Sequence, residues 1–164
     1  MSKGLYRASK VALAAVMLAL VANTAGAQNA MAVYKERQEI MKSLFPSYYR
    51  GFSQVARGES TDVASIPAKA QEAIAQLQKF ATLFPAGSGR EAVPETRSKP
   101  EIWSQKAAFE AANAKLIAET QKLGDIAKMG NVDAVKAQFA AVSEACGGCH
   151  GSGKAGGTFR YEAP

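Results

Sequence analysis

Along most of the chain, apolar residues return at the alternating three- and four-residue steps of an amphipathic helix. No stretch carries a persuasive period of two, the mark of a half-buried strand. The first helical segment runs from about Met31 to Arg57, with Val33, Arg37, Ile40, Leu44 and Val55 near one face and Gly58 as a stop. Pro46 lies inside it and has no amide hydrogen to donate, which predicts a kink or break around Phe45. The second segment, from about Ile66 to Phe84, sets Ala70, Ile74, Leu77, Ala81 and Phe84 on one stripe. Pro67 near its start and Pro85 beyond its end fit those boundaries. Pro85 to Pro100 is rich in Gly, Pro, Ser and charge and predicts a long loop. A third segment begins at Pro100 or Ser104 and reaches Lys128, with Phe109, Ala112, Leu116 and Leu123 in line. After the Met129-Gly130-Asn131 turn comes the most regular segment, in which Val132, Val135, Phe139, Val142, Cys146 and Cys149 follow one another on one face. Asn131 is placed to cap it.

Four helices with short outer connections and a longer middle one predict an all-α fold, an antiparallel four-helix bundle. The core-facing stripe of the fourth helix runs straight into two thiols. Whatever those thiols hold therefore lies inside the bundle near one end, not on an exposed loop.

Ahead of the bundle, Lys3, Arg7 and Lys10 form a basic region, Val11 to Val21 an apolar run, and Ala25-Gly26-Ala27 a small-residue cleavage site. This is the pattern of a secretory signal peptide covering residues 1–27. The apolar run is shorter than the roughly 20 residues needed to cross a bilayer, so no membrane span is expected in the mature form. Cleavage leaves residues 28–164 as one domain and lowers the formal net charge from +6 to +3. So mild a surplus points only weakly to an acidic partner, and no basic cluster with interleaved aromatics argues for nucleic acid.

Cys146-Gly147-Gly148-Cys149-His150 carries the chemistry. Two thiols three apart with an imidazole directly after them make a c-type haem attachment motif. On a helix Cys146 shares a face with both Cys149 and His150, so each thiol can add to one vinyl group while the imidazole becomes an axial ligand of the iron. One covalent haem c is the cofactor this predicts. A thioredoxin-like redox pair needs a preceding strand, and zinc needs four ligands where the chain has two Cys and one His. With a single histidine, no acid pair of recognisable spacing and no phosphate-binding glycine loop, an enzymatic role is not expected.

Together with Arg37-Gln38-Glu39-Ile40-Met41 in the first helix and Pro100-Glu101-Ile102-Trp103 before the third, this motif near the C-terminus resembles the class II c-type cytochromes, the cytochrome c′ family. The resemblance covers nearly all of the mature chain. It implies that Cys146 and Cys149 form the thioethers, that His150 is the proximal iron ligand, and that Arg37 lies close to a haem propionate. For Arg37 a solvated helix arginine is the plain alternative. Met41 matches the position that faces the distal side of the iron. Where this methionine is a ligand, the resemblance implies a His/Met haem in a periplasmic electron carrier that meets redox partner proteins. Where it only packs, the alternative is an open, five-coordinate site that binds NO or CO. In the family an aromatic and an arginine follow the haem histidine closely. Here the Gly-rich stretch 151–158 intervenes before Phe159 and Arg160, which predicts a surface loop and leaves the role of both residues open. Many relatives are homodimers. Tyr48, Tyr49 and Phe52 are placed to serve such an interface, or equally the core.

Overall fold

The computed structural model describes residues 28–151 and 157–161; the expected signal peptide lies outside the described residues. Helix α1 covers residues 28–44 and passes without interruption through a π-helical turn, Phe45–Arg50, into α2, Gly51–Ala56. The kink or break expected around Phe45 takes the form of that π turn, which begins at Phe45, and not of a chain break: Leu44 and Gly51 on either side both keep right-handed helical dihedrals. A proline removes one rung of the hydrogen-bond ladder, and widening the turn to the π spacing accommodates that loss within a continuous helix. The widened turn also leaves Tyr48 and Phe52 facing inward, edge to face with centroids 4.7 Å apart. Both are buried core residues, so neither serves a dimer interface.

Helix α3, Ile66–Ala81, carries Pro67 in its first turn and buries Ile66, Ala70, Ala73, Ile74 and Leu77. It stops one turn short of the expected Phe84. Phe84 instead leaves the helix and packs on Phe80 from the loop, at 5.0 Å. The third segment is split. A short α4, Glu101–Ser104, ends at Gln105, whose non-helical backbone (φ −121°, ψ 46°) separates it from α5, Lys106–Ala127. Helix α6, Val132–His150, begins as expected, with the Asn131 side chain accepting from the Ala134 amide at 3.0 Å. It ends at Gly151, whose φ of 79° is the left-handed conformation that glycine adopts freely.

The helices form a four-helix bundle in which α3 packs on α5, α5 on α6, and α2 on α6. Its main core joins Ile40, Leu44, Phe52 and Val55 to Leu77, Leu123, Val135 and Val142. Two buried polar groups cross this core. Tyr48 shares a hydrogen bond with Thr120, and the Asn113 amide donates to the Leu77 carbonyl at 3.2 Å. No described helix is long and apolar enough to cross a membrane.

Candidate functional site

At the end of the bundle where α6 finishes, a cavity of about 1020 Å³ opens between α1, α5, α6 and the irregular segments. That is at the upper end of the volumes, about 300–1,000 Å³, that enclose sizeable organic ligands. Arg37 and Met41 from α1 and Cys146, Cys149 and His150 from α6 all line it. The structure thus brings together every residue singled out in the sequence, from two helices at opposite ends of the chain.

Both thiols are free and partly buried. Burial, and then the neighbouring Cys149, pushes the Cys146 thiol up to about 11; burial also raises Cys149. A redox-active dithiol needs a depressed pKa, so this environment speaks against the thioredoxin-like alternative. His150 is an exposed residue facing the cavity, yet its imidazole is lowered to about 4, first by loss of solvent and then by the charges of Arg160 and Arg97. It is neutral at ordinary pH, the form in which imidazole binds a metal. Between the cysteines, a Cβ on Gly147 or Gly148 would meet no atom within 4 Å. Gly147 borders the cavity, so the space beside this turn is open to a flat group lying against the helix.

Arg37 is not solvated: only 4% of its surface is exposed. Its Nη2 donates to the Ser88 carbonyl at 3.0 Å, and its guanidinium carbon lies 4.6 Å from the Phe84 ring centre. Nε and Nη1 have no partner, and burial lowers its pKa. A buried cation with two idle donors in a cavity wall is complementary to an anion. Met41 is half-buried and packs against the main core while lining the cavity.

The chain beyond α6 returns to the site, which the sequence had left open. Phe159 is buried, packs in a second cluster with Ile102 and Phe109 against Cys149, and sits edge to face with Phe109 at 5.4 Å. Its amide donates to the Cys149 carbonyl at 3.4 Å. Gly157 crosses the end of α6 so closely that a Cβ there would collide with the Cys149 carbonyl and the Gly151 nitrogen. Arg160 forms an antiparallel bridge with Ser98, tying the tail to the loop between α3 and α4. Only residues 152–156 of the Gly-rich stretch lie outside the described residues. Phe159, Arg97 and Arg160 are site residues that periodicity could not find, because none of them lies on a helix; Phe84 was on the expected stripe of the second segment but reaches the site from the loop.

Orphaned arginine donors, a roomy cavity, open space beside the glycines and a neutral imidazole next to two thiols all fit a covalently held haem. A helical bundle carrying that arrangement at the end of its last helix defines a class of c-type haem protein. The family model described as Cytochrome C′ matches residues 32–152. A cytochrome c′ from Rubrivivax gelatinosus is 30% identical over 108 residues, which covers 66% of this chain and 83% of the relative. Among solved structures, a ferrous variant of cytochrome c′ from Alcaligenes xylosoxidans with bound NO is 23% identical with a TM-score of 0.68, covering 82% of this chain and 97% of its own. A carbon monoxide-bound variant from the same organism is 24% identical with a TM-score of 0.67, covering 81% and 97%. The chain belongs to the cytochrome c′ family, and its cofactor is covalent haem c with its iron.

Proposed function

We propose that this protein is an exported, single-haem electron carrier in which Cys146 and Cys149 hold the porphyrin, His150 is the proximal ligand and Met41 the distal one. The observation that carries this reading is that Met41 and His150 reach one cavity from separate helices, α1 and α6. No second histidine exists to take the other axial place. Bound haem supplies one-electron chemistry, with a potential raised by a His/Met ligand pair.

The protein's own contribution is to hold and to exclude. Phe84, Phe109 and Phe159 pack edge to face into an aromatic wall of the cavity, an apolar surface that would limit solvent access to a bound haem. Arg37 offers its idle donors to a haem carboxylate, as the family resemblance implies. No group here is assigned a catalytic step, and the partners are other redox proteins that meet the cavity mouth. The leader at residues 1–27 supports a periplasmic location, where haem of this type is attached.

One observation favours a second reading, a five-coordinate site that takes NO or CO. Met41 packs against the bundle core, which also suits a residue that fills space beside the iron without bonding it. NO and CO are the ligands bound in two solved variants of the Alcaligenes xylosoxidans cytochrome c′, which has a similar fold. Mixing the reduced protein with CO in a stopped-flow spectrometer separates the readings. Negligible binding in the unmutated protein, and rapid binding in Met41→Ala, is the outcome expected for the carrier. Rapid, complete binding without the substitution overturns it, as does a purely high-spin ferric spectrum that Met41→Ala leaves unchanged.

A further inference from the structure

Two more cations in the cavity wall form no salt bridge among the described residues. Arg97 comes from the loop between α3 and α4, and Arg160 from the returning tail; both line the cavity. Their backbones are pinned together: the Tyr161 amide donates to the Arg97 carbonyl at 2.8 Å, and the Lys99 amide to the Phe159 carbonyl at 3.0 Å. Lys99 Nζ also donates to the Gly157 carbonyl at 2.8 Å. Neither arginine makes a salt bridge among the described residues, and Arg97 Nε is buried without any hydrogen-bond partner.

Folding has thus brought two like charges close, with no carboxylate of the described residues paired to either. Burial lowers the Arg160 pKa, and Arg97 lowers it further. Such an arrangement costs free energy unless an anion completes it. Guanidinium groups in a partly desolvated wall favour a planar carboxylate, which accepts paired hydrogen bonds.

We propose that Arg97 and Arg160 together receive a haem propionate, forming an anion site separate in sequence from Arg37. The inference rests on the haem reading above. It assigns a function to the tail beyond Gly151: the tail delivers the second guanidinium, and the Ser98 to Arg160 bridge holds the two in register. Both residues act as positioning and electrostatic groups. Two fixed positive charges beside the porphyrin disfavour the extra positive charge of ferric iron and so raise the potential.

The test uses holoprotein produced with isotope-labelled haem propionates, in unmutated form and as Arg97→Gln, Arg160→Gln, Arg97→Lys and Arg90→Gln. Arg90 is an exposed arginine over the Tyr161 ring, outside the cavity wall, and serves as the charge control. Redox-difference infrared spectra read the labelled carboxylate stretch, and spectroelectrochemistry reads the midpoint potential. Arg97→Gln and Arg160→Gln are each expected to move the labelled band and lower the potential. Arg90→Gln is expected to do neither, and Arg97→Lys to recover part of the potential without restoring the band. An unmoved band in both glutamine variants overturns the proposal. A shift in only one of them overturns the pair. A potential that responds to added phosphate while the labelled band ignores both substitutions identifies a free anion as the occupant, and also overturns it. Should Arg97→Gln fail to fold, Arg160→Gln and Arg97→Lys still decide. Failure of the haem reading is seen separately, as absence of covalently added mass in the unmutated protein.

Discussion

The two ends of the bundle are packed by different rules. At the end remote from the cavity, Val55, Ile66, Leu123, Ala127 and Val135 are each exposed by 3% or less, and mostly aliphatic side chains fill the space. At the cavity end the packing is aromatic, and its polar groups are unfinished. Four buried side-chain polar atoms lack a partner among the described residues, and three of them belong to Arg37 and Arg97 in the cavity wall. One end is complementary to itself. The other is complementary to a large, flat, anionic guest, and it remains energetically incomplete without one.

The largest break in that comparison comes from removing the tether. In Cys146→Ser combined with Cys149→Ser, the denatured protein is expected to show the mass of the polypeptide alone. Its midpoint of thermal unfolding should fall, because a covalently held guest no longer stabilises the native state at the cavity end. At the remote end, Leu123→Ala should cost about 2–5 kcal/mol in denaturant unfolding, since the residue is fully buried and leaves a cavity. The haem absorption bands should stay where they were; a displaced band would mean the two ends are mechanically coupled. Tyr48→Phe tests the seam between the regions. It strands the buried Thr120 hydroxyl, with an expected loss of about 1–3 kcal/mol. The smallest effect is expected from Asn131→Ala, which removes the cap of α6 at the end away from the thiols. About 1 kcal/mol of stability should be lost with no change in midpoint potential.

Much of this organisation was visible in the residues. The unbroken stripe from Val132 to Cys149 placed the thiols at the core-facing end of the last helix, and the cavity lies there. The Pro46 signal marked the place where the α-helix is disturbed, though not the form of the disturbance. The proline loses its hydrogen bond, and the chain answers with a π turn instead of a break. Asn113 and Thr120 fall on the buried face of α5, where a search for apolar residues passes over them. Tyr48, Tyr49 and Phe52 were ambiguous between core and interface. The structure buries Tyr48 and Phe52, and bonds the Tyr49 hydroxyl to Ser143 at 2.9 Å.

What the sequence determined by itself were the features whose partners are close in the chain: helix periodicity, the Asn131 cap, and two thiols and an imidazole on one helical face. These depend on neighbours three or four residues away, and the covalent geometry of the backbone enforces them. Only the tertiary structure decided that Arg37 is buried, that Phe159 closes the aromatic wall, and that Arg97 meets Arg160. Those contacts join segments such as Lys99 and Gly157, 58 residues apart, across irregular backbone that carries no period to read. Their positions are set by how the loop and the tail pack on a finished bundle, and no local rule encodes that.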